Sequence, residues 1–173
     1  MPLVKGGKIT DDVFVHVADG AALPDDGAIL VPAARLLENP ASFLDRKDKI
    51  GVIWPNNRDV DDLVPYLDRL AAVALVFPTF RDGRAYSQAR LIRETHGFRG
   101  TLRATGDVLR DQFHFLTRAG FDSFEVKKPA DAKVFTEVLA RFSVYYQPGA
   151  DGRASALRRR LKSGAAPEAC ETA

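Results

Sequence analysis

The chain has 173 residues, of which 46% are hydrophobic and 28% charged, so it has the size and composition of one globular domain and is not a disordered protein. Its formal net charge of +2 is too small to require a nucleic acid or an anionic membrane as a partner. The sequence contains no apolar run of about 18 residues and begins with no apolar signal segment. We therefore expect a cytoplasmic protein that binds neither nucleic acid nor membrane.

The first elements predict a short N-terminal β extension. The short segments 3–4 and 8–9 flank Lys5-Gly6-Gly7, and two strand candidates joined by a glycine-containing turn are typical of a hairpin. Valines then alternate with other residues at positions 13, 15 and 17, which indicates a further strand.

From residue 28 onward, strand candidates alternate with helical patterns. The strand candidates are residues 28–31, 50–54, 73–77, 101–105 and 123–126, with a last short one at 144–146. The helical patterns are residues 33–44, broken at Pro40, then 60–70, 87–96, 108–118 and 130–142. About five βα units predict an α/β fold with a mostly parallel sheet. Two arrangements of this sheet are open: an open three-layer sheet or part of a βα barrel. A complete barrel takes about 250 residues, so this chain could form only part of one.

The composition changes after residue 146. We expect one α/β domain over residues 1–146 and a C-terminal tail over residues 147–173, rich in Gly, Ala, Ser and Arg. Leu157 and Leu161 lie on one face of a short helix in this tail, and the last ten or so residues are expected to be disordered. The single cysteine, Cys170, excludes an internal disulfide or a cysteine metal cluster.

The carboxyl ends of the strands are the expected site of ligand binding in a parallel sheet. Residues 77–118 contain eight arginines, no lysine and four acidic residues. Arginine suits two-pronged contact with an oxyanion or a carboxylate, so this edge predicts an anion site. The candidate anion-binding residues are Asn56, Arg81, Arg84, Tyr86, Ser87 and Arg103. Ser87 could also cap a helix.

A structural interpretation of the same residues is equally open. Asp82 could pair with Arg84 or Arg103 and fix the loop to the sheet. Because Arg103 lies within a strand, it needs a partner, and Asp82, Asp107 and Asp111 are the nearest acids in sequence. The same three aspartates are the candidates for an acid or base if the protein is an enzyme.

No cofactor or metal site follows from the motifs. The sequence has neither a glycine-rich nucleotide loop nor a Gly-x-Ser-x-Gly elbow. His16, His96 and His114 have no ligand partners at metal-binding spacing. The cofactor is therefore left unknown, and no metal is expected.

Residues 77–124 resemble one bacterial family, the domain of unknown function 934. The resemblance rests on FPTFRDGRAYSQARLIR at 77–93, GTLRATG at 100–106, Asp111-Gln112 and RAGFDSF at 118–124. Its members are often labelled oxidoreductases and are typically encoded beside assimilatory sulfite reductase. The resemblance thus implies a cytoplasmic accessory role in sulfite or sulfate assimilation, but it supplies no catalytic residues.

Three functions remain open from the sequence. The leading one is an accessory protein that binds an anion or an acidic partner, such as sulfite reductase or another sulfur-assimilation protein, through the arginine-rich strand ends. The second is a small-molecule enzyme, an oxidoreductase or a barrel-like lyase or isomerase, that acts on an anionic substrate. The third is a homodimeric interaction protein that uses Phe77, Phe80 and Tyr86.

Overall fold

The computed structural model describes residues 2–163, and eight strands in this part of the chain form a single sheet. Along the sheet the strands follow the order β2-β1-β8-β7-β6-β5-β4-β3. Their bounds are β1 Leu3–Lys5, β2 Lys8–Thr10, β3 Val15–His16, β4 Ile29–Pro32, β5 Ile50–Trp54, β6 Leu70–Phe77, β7 Thr101–Gly106 and β8 Ser123–Glu125.

The strands from β3 to β8 lie side by side in sequence order, and each neighbouring pair is parallel. Because each crossover moves to the next strand in the same direction and crossovers are right-handed, the helices fall on one face of the sheet. The sheet curls into a half-barrel, which confirms the α/β prediction and selects the partial barrel over the open three-layer sheet.

The N-terminal β extension is also confirmed. Strands β1 and β2 form an antiparallel hairpin, and β1 pairs antiparallel with β8 at the end of the parallel strands. The turn between them uses Gly6 and Gly7 at φ values of 57° and 79°, a region that favours glycine.

Six α-helices occur among the described residues. They are α1 Ala33–Glu38, α2 Ala41–Leu44, α3 Arg84–Arg90, α4 Phe113–Ala119, α5 Asp131–Ala140 and α6 Ala156–Ser163. A π-helical turn at Leu91–Thr95 extends α3, and a 3-10 turn at Arg110–Gln112 precedes α4. The helix predicted over residues 60–70 is instead a 3-10 helix at Val64–Arg69, with a proline in its first turn.

The two faces of the sheet differ in what they bury. The face toward the helices carries large apolar side chains, among them Val73, Leu75 and Phe77 of β6, in one continuous core. The opposite, concave face carries small residues such as Ala72 and Ala74. The alternation of large and small side chains along β6 therefore orients the strand, since large ones fill the space beneath the helices.

The segment after residue 146 packs on the domain. The backbone N–H of Ala150 donates to the carbonyl of Arg118 at 2.9 Å, and Tyr145 forms a single β-bridge with Ser155. That bridge is all that exists of the strand predicted at residues 144–146. Cys170 and the predicted disordered end lie outside the described residues. Within residues 2–163, no helix has the length and apolar character needed to cross a bilayer.

Candidate functional site

At the carboxyl end of β6, the predicted site residues Asp82 and Arg84 pair with each other. Arg84 donates from Nε to Asp82 Oδ1 at 2.9 Å and from Nη2 to Oδ2 at 2.7 Å. The guanidinium holds the pKa of Asp82 well below its usual range, and Asp82 in turn raises the pKa of Arg84. A carboxylate with a depressed pKa is a weak general base at neutral pH, so Asp82 serves here to fix the loop.

Asp107 fastens the ends of three neighbouring strands. Its Oδ2 accepts the backbone N–H of Phe80 at 2.9 Å, and its Oδ1 accepts the Lys127 ammonium at 2.6 Å. Lys127 lowers the pKa of Asp107. Because Phe80 follows β6, Asp107 follows β7 and Lys127 follows β8, these contacts give the carboxylate a structural role.

The remaining candidate residues do not form one cluster. Asp111 is exposed in the 3-10 turn before α4. Burial, with Asp111 nearby, raises the pKa of the half-buried Tyr86 to about 12, so its phenol is neutral. Ser87 is exposed within α3 and does not cap it, because the helix already begins at Arg84. Asn56 is buried near Asp82, and Arg81 is exposed without an ion pair among residues 2–163.

Arg103 lies on the concave face, away from the pair at the end of β6. Its side chain is 1% exposed and donates to both Asp12 carboxylate oxygens, at 2.6 and 2.7 Å. It also donates to Glu125 Oε1 at 3.3 Å. The prediction that its partner would be one of the three nearest aspartates in sequence is therefore wrong. Arg103 and Arg84 each have their own carboxylate, so they do not form one arginine cluster.

Further polar groups surround the buried Arg103 guanidinium and extend this network toward the surface. Thr105 donates its hydroxyl to Glu125, and His16 Nε2 lies 3.2 Å from Asp12 Oδ2. The Phe14 ring covers the guanidinium at 5.7 Å. Burial alone would raise the pKa of Asp12, but the hydrogen bonds and charge of Arg103 outweigh it and lower this pKa to about 2. The network is thus held by an ionised Asp12.

Asp12 makes stability depend on acid pH. Its folded-state pKa of about 2 is below the ordinary 3.8, so its contribution is complete above that ordinary value and is lost as the pH falls toward 2. Since Asp12 is partly exposed, we expect a loss of about 1 kcal/mol over this range. Urea unfolding at a series of pH values from about 5 to about 2 measures this loss of unfolding free energy, because the protonation of Asp12 falls within that range. Asp12→Asn should show a smaller decline, and an equal decline in both proteins would contradict the assignment.

The acidic and imidazole groups of this network are spaced like metal ligands, but the cation that lies between them is the Arg103 guanidinium. Ligand atoms of Asp12, His16 and Glu125 lie within 4.8 Å of one another. Arg103 Nη1, however, lies 2.6 Å from Asp12 Oδ2, 3.3 Å from Glu125 Oε1 and 3.4 Å from His16 Nε2. The guanidinium occupies the centre of this ligand set, which makes the cluster an ion-pair network on the concave face.

A second concentration of charge lies at the C-terminal end of the described chain. Helix α6 contains four cations and no acidic residue, and its Leu157 and Leu161 are 64% and 66% exposed. Residues 144–146 run beside the start of α6, since Ala156 donates its N–H to the carbonyl of Tyr145 at 2.7 Å. We call the C-terminal basic surface the set of exposed residues Phe142, Val144, Tyr146, Leu157, Arg158, Arg159, Arg160, Leu161 and Lys162.

Contacts from α4 anchor this surface to the domain. The Arg118 guanidinium stacks 4.2 Å above the Tyr145 ring, pairs with Asp151 and donates to the carbonyl of Gln147. Arg153 donates to the Tyr145 hydroxyl at 2.9 Å. The sequence predicted Leu157 and Leu161 on one helix face, and the arginines between them in residues 157–162 are the signal from which a basic surface could have been predicted.

Comparison with known proteins gives one match. The model of a family described as bacterial protein of unknown function (DUF934) matches residues 51–157, which is more than half of the chain. Searches of curated proteins and of solved structures give no match. The matched range begins in β5 and ends in the first turn of α6, so it includes Arg103 and most of the strand ends described above.

Proposed function

We propose, on the premise that the chain belongs to the DUF934 family of bacterial proteins, that it is a cytoplasmic accessory protein of assimilatory sulfite or sulfate reduction. In this role it binds an acidic partner protein, sulfite reductase, through the C-terminal basic surface. The family resemblance implies the pathway, because family members are typically encoded beside that reductase. The character of the surface supports the binding role.

The observation that carries the proposal is the composition of α6. Four cations accompany two exposed leucines in eight residues, and the helix contains no acidic residue. An apolar centre surrounded by charge of one sign is typical of a protein-binding surface, since burial supplies affinity and charge supplies steering. The matching partner surface is therefore acidic with an apolar centre. A second copy of this chain would oppose cations to cations in a two-fold interface, which disfavours the homodimer through this face.

The proposal keeps the acidic partner expected from the sequence but moves its binding surface. At the strand ends, Arg84 is paired with Asp82, and on the concave face Arg103 is paired with Asp12. A pairing of this kind leaves little charge for an external anion. Arg81 is the predicted anion-binding arginine that stays exposed at the strand ends, and one exposed cation gives a weak site.

The test measures binding to the purified sulfite reductase encoded in the same genome. We expect Arg158→Glu combined with Arg159→Glu to weaken binding by about tenfold or more, because two favourable charges become repulsive. The matched control combines Lys8→Glu with Lys47→Glu, two exposed lysines outside this surface, and makes the same change in net charge. It should bind like the wild type, and wild-type binding should weaken as salt is added.

Two results would reject the proposal. Wild-type protein that fails to bind the reductase in low salt excludes this partner. Equal weakening by the two double variants shows that net charge, not the C-terminal basic surface, is responsible. Replacing Leu157 and Leu161 together by serine should raise the dissociation rate, because the apolar centre of the interface is lost.

A further inference from the structure

A large cavity on the helix side of the sheet is separate from the features described so far. Its volume is about 720 Å³, and it lies between the β1–β2 turn, the end of α4 and one face of α5. Its apolar lining consists of Phe98, Phe121, Phe124, Phe135 and Leu139. This volume is within the range of small-molecule sites, which are mostly apolar with a few polar groups.

Arg93 fixes the wall of this cavity. Its Nη1 donates to the carbonyls of Phe98 and Gly100 at 2.7 and 2.9 Å, and its Nε donates to the carbonyl of Gly120 at 2.9 Å. These bonds tie the loop before β7 to the end of α4. A cavity whose wall is already held in place loses little conformational entropy when a ligand binds.

The charges that line the cavity do not cancel. Asp122 pairs with Arg93 at 2.9 Å, and Asp151 pairs with Arg118 outside the lining. Both lining carboxylates are thus neutralised by arginines. Lys5 donates to the uncharged Thr101 hydroxyl at 3.1 Å, and Arg99 is exposed with no ion pair among residues 2–163. Lys5 also acts electrostatically on Asp122, so Asp122 has two cationic neighbours in the lining. The lining therefore carries an excess of positive charge, and Arg99 is its cation without an acidic partner among residues 2–163.

We propose that this cavity binds a small amphipathic molecule with an aromatic or other apolar body and one anionic group. The body lies against Leu139 and against the edges of Phe98, Phe121 and Phe135 that reach the cavity surface, and the anionic group lies at the rim beside Lys5 and Arg99. The aromatic lining favours a flat ring through burial and edge contacts, and the guanidinium favours an oxyanion through charge-assisted hydrogen bonds. This site goes beyond the proposed partner binding and does not depend on it.

The experiment compares two fluorescent probes of similar shape. Anilinonaphthalene sulfonate has an aromatic body with one anionic group, whereas N-phenylnaphthylamine has a comparable body without charge. We expect the wild type to bind the sulfonate about tenfold more tightly than the neutral probe. Arg99→Ala combined with Lys5→Ala should remove this preference, and Arg99→Lys alone should retain part of it. Arg81→Ala, which changes an exposed arginine outside the cavity, is the matched control and should change nothing.

A cavity-filling variant tests the position of the probes. Leu139 is partly exposed on the lining, so Leu139→Trp fills the cavity at little cost to the core, and it should remove the binding of both probes. Thermal unfolding confirms that each variant is folded. Equal binding of the two probes by the wild type, or unchanged binding by Leu139→Trp, would overturn the proposal. Arg99→Ala should still bind sulfite reductase, so failure here is distinguishable from failure of the proposed function.

Discussion

Replacing Arg103 with alanine is expected to lower the free energy of unfolding by about 3–5 kcal/mol. The side chain is 1% exposed and compensates the carboxylates of Asp12 and Glu125 at once. Without the guanidinium, the buried Glu125 carboxylate stays in the network with no arginine to pair with, and an uncompensated buried charge costs far more than an exposed one. Urea unfolding at neutral pH, followed by circular dichroism, measures the difference.

The control for this prediction is Arg84→Ala. Arg84 also forms a two-bond pair with an aspartate, but its side chain is 58% exposed and its charge is screened by water, so we expect a much smaller loss. Arg103→Lys keeps one positive charge but loses the two-pronged geometry of the guanidinium. Its loss of unfolding free energy should therefore lie between those of Arg103→Ala and Arg84→Ala. If Arg103→Ala costs no more than Arg84→Ala, the network does not stabilise the concave face as we describe.

The network also explains how a half-barrel keeps an open face in water. In a full barrel, this face is filled by side chains from the opposite strands. Here, residues 11–14 fold across it and place Asp12 and Phe14 on Arg103. Phe14 is buried against Leu30 and the small residues of β6. The N-terminal segment thus substitutes in part for the missing half of the barrel, which makes it part of the core of the protein.

The fold was predictable because strands β4, β5 and β6 are apolar runs that end at prolines, and helical patterns separate the strands from one another. The alternation gave every parallel strand from β4 to β8, and Pro40 correctly divided α1 from α2. The region from residue 60 to 70 misled because its apolar spacing fits a helix, yet Pro65 has no N–H to continue one and a tighter 3-10 turn forms. Periodicity reports which side chains are buried and does not report the hydrogen-bonding pattern beneath them.

The site was less predictable because its contacts join residues distant in sequence. Asp12 precedes Arg103 by 91 residues, and no local pattern associates the two. Glu125 was within reach: in Ser123-Phe124-Glu125-Val126, the buried Phe124 and Val126 face the helices, which puts Glu125 on the concave face with Arg103. By contrast, the Asp82–Arg84 pair is local, and it was correctly included among the structural alternatives.

Replacing Phe113 with alanine is expected to lower the free energy of unfolding by about 3–5 kcal/mol, because a fully buried ring leaves a cavity that its neighbours fill only in part. Phe113 is 0% exposed, and its ring centre lies 5.5 Å from that of Phe124 and 5.3 Å from that of Phe135. These three rings join α4, β8 and α5. Thermal or urea unfolding measures the loss.

Phe115 provides the matched control within the same helix. It lies two residues further along α4 and is 65% exposed, so Phe115→Ala should change the free energy of unfolding by about 0.5 kcal/mol or less. Similar losses in the two variants would show that the three-ring cluster is not the contact that holds α4 and α5 to the sheet.

Because Phe124 and Phe135 also line the large cavity, Phe113→Ala should weaken binding of both fluorescent probes even where the protein remains folded. Loss of stability without loss of probe binding would instead mean that the cavity lining holds its shape independently of the ring beneath it.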